Sequence, residues 1–148
     1  MTFEQALNRM AALCSCSEHC ESDIREKLQK AAMPVQDIDR VIDTLYAENY
    51  LNTARYCHAF ARDKLRFSHW GRMKIEQGLR IKHLPPADIK EALTDLPDDE
   101  YENILQDVLK QKDRMLTDED EYIRNGKLIR FATARGFTLD EIRHHLNL

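Results

Sequence analysis

The stretch SDIREKLQKAAMPVQDIDRVIDTL, Ser22 to Leu45, recurs in altered form as RMKIEQGLRIKHLPPADIKEALTDL, Arg72 to Leu96. With a shift of 51 residues, Ile24 meets Ile75, Leu28 meets Leu79 and Met33 meets Leu84. Pro34 then meets Pro85, Asp37 meets Asp88, Ile38 meets Ile89, Ile42 meets Leu93 and Leu45 meets Leu96. A weaker third copy lies 53 residues further on, carrying Leu128, Ala132, Phe137, Thr138, Glu141, Ile142 and Leu146 in the same register. Fixed-period self-similarity of this kind is the mark of a repeat architecture.

Each copy reads as helix, turn, helix. Ile24 and Leu28 sit one helical turn apart, and Met33 closes the turn. Pro34 stands where a helix begins, so its missing N–H costs nothing. Ile38, Val41, Ile42 and Leu45 follow the i, i+3, i+4, i+7 spacing of one buried stripe. In the third copy Gly136 suits a helix C-terminus and Thr138 suits an N-cap. A longer helix precedes each pair, over residues 3–15, 53–68 and 98–115. The chain is therefore expected to be all-α. Nine helices fall into three tandem three-helix repeats, at 1–51, 52–96 and 97–148, stacked as an elongated, curved, solenoid-like array.

The 148 residues are 43% hydrophobic and 32% charged, a globular balance with only four Gly and four Pro to punctuate strands. No run approaches a membrane span and MTFEQALNRM does not read as a signal peptide, so the expected address is the cytoplasm. Four cysteines there are expected as free thiols. The net charge of −4 is unevenly spread. Residues 1–54 carry five basic and nine acidic side chains, 55–83 carry eight and two, and 84–148 carry nine and fifteen. A basic middle between acidic ends can steer an anionic partner, although the total would repel bulk DNA.

Motifs for catalysis are absent. There is no glycine-rich phosphate loop, no Gly-x-Ser-x-Gly elbow and no His-Glu-x-x-His. Asp98, Asp99 and Glu100, and the acids of TDEDEY from Thr117 to Tyr122, read as helix starts, where carboxylates favour the positive end of the dipole. His144 and His145 suit the last turn of the final helix for the converse reason. No cofactor is expected.

ENYLNTARYCHAFARDKLRFSHWGRMKIEQGLRIKHL, Glu48 to Leu84, resembles the RecX family of recombination regulators. The family pattern is a Gly-Tyr-Leu-Asp-Asp run, an Arg with an aromatic, then a Gly followed by Ile, Leu and a Lys-Gly-Ile turn. Tyr50, Leu51, Arg55, Tyr56, Gly71, Ile75, Leu79, Lys82 and Leu84 match it. The chain departs at Asn49, Asn52, Thr53 and His83. Asn52 can still cap a helix and Asn49 tolerates a left-handed turn. The family's three-helix repeat runs along essentially the whole chain. The resemblance implies a cytoplasmic, noncatalytic protein that binds the RecA filament on single-stranded DNA. It further implies inhibition of filament extension, ATP hydrolysis, strand exchange and coprotease activity, with consequences for recombination, repair and the SOS response. DNA itself is a second candidate partner, and a monomer is expected.

CSCSEHC, Cys14 to Cys20, holds four candidate metal ligands in Cys14, Cys16, His19 and Cys20. Zinc usually takes two ligand pairs from separate turns, and the second pair is missing. The repeat register aligns His19 and Cys20 with Trp70 and Gly71, which makes the segment a helix junction. Cys20 then replaces the Ser that the family often uses as a helix cap, or Ser17 caps from further back. Cys14 and Cys57 read as small core residues.

On a helix over 53–68, Arg55, Arg62 and Arg66 fall on one side, and Tyr56, Phe60 and Phe67 on the expected core side. Arg72, Lys74, Arg80 and Lys82 follow on the next helix. Guanidinium forks match carboxylates or phosphates in two-point contacts. These seven side chains are therefore the expected surface for the filament. Trp70 is expected as a core plug, with a partner anchor as the alternative. Two other readings compete: a helix-turn-helix nucleic-acid-binding protein with a steep salt dependence, and a metal or thiol sensor built on CSCSEHC.

Overall fold

Local signals set the helix starts in this computed structural model, which describes residues 1–148. Helix α1 (Phe3–Cys16) opens on a capping box, with the Gln5 N–H donating to Thr2 Oγ1 at 3.1 Å and the Thr2 N–H to Gln5 Oε1 at 3.0 Å. Thr138 and Glu141 repeat the device at the last helix, α9 (Leu139–Leu146). Between them run α2 (Glu21–Lys30), α3 (Val35–Ala47), α4 (Thr53–Ser68), α5 (Arg72–Ile81), α6 (Pro86–Thr94), α7 (Asp98–Met115) and α8 (Glu121–Ala134). Asn52 caps α4 by accepting the Arg55 N–H at 2.8 Å, and Asp120 caps α8. Pro34 and Pro85 stand immediately before α3 and α6. The chain is all-α, nine helices with no strand.

The turns between the second and third helices of each triplet share one conformation. Ala32, His83 and Gly136 occupy equivalent positions, with φ of 58°, 63° and 98°. This is the left-handed residue that ends a helix, and only the third copy supplies the glycine that adopts it without strain. Asn49, with φ 62°, makes the same kind of turn after α3.

Burial follows the apolar stripes, and no polar or charged residue is fully buried. The core divides in two. One cluster holds Ala6, Met10, Ile24, Leu28, Met33, Ile38, Val41, Ile42, Leu45 and Leu51. A larger cluster of 19 residues runs without a break from Tyr56 and Leu65 through Leu79 and Leu105 to Phe137 and Ile142. Its only member from the first 51 residues is Cys20. The total accessible surface is 9273 Å² for a 17.4 kDa chain. A compact monomer of that mass exposes about 7,900 Å², so this molecule is extended.

The two junctions between successive triplets use the same elements with different chemistry. Between the second and third, the turn before α5 meets the turn before α9. The Gly71 N–H donates to the Arg135 carbonyl at 2.7 Å, and the Met73 N–H to the Gly136 carbonyl at 3.1 Å. A Cβ on Gly71 would lie 2.4 Å from the Gly136 carbonyl carbon and oxygen, and one on Gly136 would lie 2.4 Å from Lys74 Cβ. Two glycines thus let two backbones touch. Between the first and second triplets the equivalent positions hold Cys20 and His83, and the backbones stay apart. The link there is made by side chains. Ser22 Oγ donates to the Lys82 carbonyl at 3.2 Å, and the Lys82 ammonium meets Asp23 at 2.8 Å. Stacked units were the expectation; the junction that lacks the glycine pair is the one at which the core divides.

Candidate functional site

Most of the expected arginine surface is occupied by intramolecular ties. The Arg55 guanidinium binds Glu18 and donates to the carbonyls of Asn49 and Tyr50 at 3.0 and 3.2 Å, clamping α4 to the first triplet. Arg66 makes a two-point contact with Glu100 at 2.5 and 3.1 Å, tying α4 to α7. This pair holds the Glu100 carboxyl below the usual carboxylate range. Arg72 lies 4.0 Å from the Tyr101 ring centroid, donates to the Leu93 carbonyl at 3.2 Å and meets Asp98 at 3.3 Å. Lys82 is held by Asp23, and Arg80 pairs with Glu76 one turn away at 2.6 Å. Of the seven, Arg62 and Lys74 have no carboxylate partner. Arg55, Arg62 and Arg66 share a side of α4, but the first and last are staples of the fold.

Phe67 departs from its expected place in the core, being 80% exposed. It lines a groove of about 480 Å³ with Ser17, Glu18, Phe60, Asp63 and Lys64, where α4 passes the α1–α2 link. The α4 stripe has room for Tyr56 and part of Phe60 beneath it, and ends before Phe67.

Four cations without a carboxylate partner stand against aromatic rings elsewhere. Trp70 is half-buried, edge-on to Phe60 with centroids 6.4 Å apart. The ammonium groups of Lys64 and Lys74 each lie 4.7 Å from its ring centroid. Beside Lys74, across the Gly71–Gly136 contact, Arg135 donates to the Ser68 carbonyl at 3.2 Å and lies 4.8 Å from the Phe131 centroid. Lys112 lies 5.0 Å from the same ring. Four cations and two aromatic rings therefore alternate in a belt: Lys64, Trp70, Lys74, Arg135, Phe131, Lys112. None of the four makes a salt bridge, whereas the arginine staples all do. Aromatic faces and unneutralised cations in alternation suit a flexible anionic chain or an acidic protein surface. Sequence reasoning found Lys74 and left Trp70 divided between plug and anchor. It missed Lys64, Arg135 and Lys112, which share no single helix. Only Lys64 lies in the +6 segment of residues 55–83; Lys112 and Arg135 stand in the net-acidic segment 84–148 and had no sequence signal.

CSCSEHC forms the α1–α2 junction. Cys16 is exposed, Cys14 half-buried and Cys20 buried, and no three ligand atoms of Cys14, Cys16, His19 and Cys20 converge. Cys20 is the N-cap residue of α2 but makes no side-chain cap; its thiol sits 3.2 Å from Ser22 Oγ. Ser17 closes α1 instead of opening α2, because the chain at Ser17 is extended and its N–H donates to the Leu13 carbonyl. Burial, then the charge of Glu18, raises the Cys14 thiol pKa, and burial pushes Cys57 up to about 12. Both are kept as unreactive thiols.

The fold and this belt define a class: a tandem array of three-helix units with a cationic, aromatic face and with no helix long and apolar enough to cross a membrane. Comparison narrows the class. Residues 52–93 match the second three-helix domain of RecX. The regulatory protein RecX of Ectopseudomonas mendocina is 32% identical over 126 residues, covering 84% of this chain and 81% of that protein. That of Clostridium beijerinckii is 28% identical over 122 residues, and the match spans 81% of this chain and 56% of that longer protein. A crystal structure of a regulatory protein RecX superposes with a TM-score of 0.88 at 22% identity, over 99% of this chain and 73% of the other, and so shares its fold. The chain belongs to the RecX family.

Proposed function

We propose that this protein is a noncatalytic, cytoplasmic regulator that binds the RecA filament on single-stranded DNA as a monomer. It inhibits filament extension, ATP hydrolysis, strand exchange and coprotease activity. Family membership supports the partner, and the relatives' name, regulatory protein, agrees with a noncatalytic role. The three triplets, 1–51, 52–96 and 97–148, act as successive contact units along the filament. The observation that carries the reading is the belt of four cations without carboxylate partners in a chain of net charge −4. An extended molecule can lay such a belt along a groove. Lys74 and Arg62 from the expected surface, with Lys64, Arg135 and Lys112, make the principal contacts. Arg55, Arg66, Arg72 and Lys82 hold the units in register, and Arg80 is available from its weak surface pair.

The test is charge reversal in two groups. K64E/K74E should weaken inhibition of RecA-dependent ATP hydrolysis at least tenfold while helicity and unfolding midpoint stay as in the parent. R80E, outside the belt, should cost less than threefold. Equal loss from both, or none from the belt, contradicts this assignment of the surface.

A further inference from the structure

Packing of α4 on α6 brings together three ligand-type side chains far apart in the sequence. The ligand atoms of His58 on α4, of Glu91 on α6 and of Asp95, the residue that caps the C-terminus of α6, all lie within 4.8 Å of one another. Both ring nitrogens of His58 face an acceptor at 2.8 Å: Nδ1 the Ala54 carbonyl, Nε2 the Asp95 carboxylate. A neutral imidazole has one N–H and can satisfy only one of them. When Nδ1–H donates to Ala54, the Nε2 lone pair is aimed at a carboxylate, and either a second ring proton or a metal cation placed there completes the arrangement. A hydrogen bond from the distal ring nitrogen to a backbone carbonyl is also how metal-ligating histidines are oriented. Glu91 precedes Asp95 by one helical turn, and no Lys or Arg forms a salt bridge with either. His58 and Glu91 stand on helices of one packed pair and Asp95 caps the second, which fixes their spacing.

We propose that His58, Glu91 and Asp95 bind a divalent first-row transition cation of the zinc class. The protein supplies one imidazole nitrogen and two carboxylate oxygens, and water fills the remaining positions. The imidazole selects this class over magnesium or calcium. The ion would clamp α4 to α6. The other triplets have no three-ligand counterpart: the first holds Leu7, Arg40 and Thr44 at the equivalent positions, and in the third, where the buried Tyr101, Leu105 and Leu109 of α7 match Cys57, Ala61 and Leu65 of α4, Glu102 stands in place of His58 and meets only His145, at 3.4 Å. The site is separate from CSCSEHC and independent of the RecA reading.

Cobalt(II) chloride is the probe, titrated into the full chain near neutral pH with a non-chelating reductant and followed by visible absorption. One cobalt per chain is expected, without thiolate-to-metal charge-transfer bands, and zinc should displace it. H58Q and E91Q should each weaken binding at least tenfold. The Glu91 side chain is exposed and makes no hydrogen bond, so E91Q leaves the fold intact. C14S/C16S should bind as the parent does, and zinc should raise the melting temperature of the parent but not of H58Q. Absence of binding at millimolar cobalt overturns the proposal. So does binding that survives both H58Q and E91Q, or thiolate bands that vanish in C14S/C16S.

Discussion

Replacing Gly71 by alanine should be among the most damaging single-methyl changes in this protein. The new Cβ would stand 2.4 Å from the carbonyl carbon and oxygen of Gly136 and 2.5 Å from the Phe137 nitrogen. All three are backbone atoms, so no side chain can rotate away. The α4–α5 turn must lift from the α8–α9 turn, which breaks the Gly71-to-Arg135 and Met73-to-Gly136 hydrogen bonds. Two lost hydrogen bonds of about 1 kcal/mol each, with overpacking of about 1–3 kcal/mol, give a destabilisation of about 3–5 kcal/mol. Urea unfolding followed by circular dichroism measures it. The midpoint of the larger core should fall while the first triplet, whose core is separate, keeps its own. The same displacement moves Lys74 away from Arg135 and divides the belt, so inhibition of RecA should also weaken under conditions where the variant stays folded. A loss below 1 kcal/mol would refute the backbone contact as the fastener of the second and third triplets.

Other outcomes follow from the same geometry. Ala32→Gly and His83→Gly place glycine in left-handed turns; each should stabilise by up to about 1 kcal/mol, net of the entropy glycine adds to the unfolded chain, read from the shift in urea midpoint. Burial opposes ionisation of Asp23, but the Lys82 ammonium outweighs it and holds the carboxyl below the usual carboxylate range. A depressed carboxyl stabilises fully above its unfolded pKa and loses that contribution as pH falls through the folded one. Docking of the first triplet should therefore weaken below about pH 4, and D23N, measured at pH 7, should already show the loosened state by faster hydrogen exchange in α2. R66A should leave the urea midpoint close to that of the parent, because the Arg66–Glu100 pair is exposed and screened by solvent; a large fall in the midpoint would mean that the pair carries the α4–α7 contact.

The repeat made the helices legible because a buried stripe needs one apolar residue per turn, and Ile24, Ile75 and Leu128 or Leu28, Leu79 and Ala132 keep that register through divergence. Turn chemistry was legible at Asn49, Asn52, Gly136 and Thr138, where few residue types do the job. The division of the core was harder to read. It depends on Gly71 and Gly136 meeting across 65 residues (71 to 136), and no local pattern announces a pair of backbones in contact. The pairing of the arginine surface was hidden for a related reason. Periodicity places Arg55, Arg62 and Arg66 on one side of α4 but says nothing of Glu18 and Glu100 arriving from other helices to neutralise two of them. Phe67 continues an apolar stripe beyond the point where the neighbouring helix ends. The belt is assembled from four helices, so only its Lys64–Lys74 half was legible, as a regional excess of positive charge, while Lys112 and Arg135 lie in a net-acidic segment.

The central claim is that this chain regulates RecA by binding its filament. The most direct measurement is the rate of ATP hydrolysis by RecA from the same organism on single-stranded DNA, with the purified chain titrated in at amounts well below RecA. Progressive inhibition is expected at substoichiometric ratios, weakened at least tenfold in K64E/K74E. An unchanged rate up to equimolar protein, with the chain folded, would contradict it.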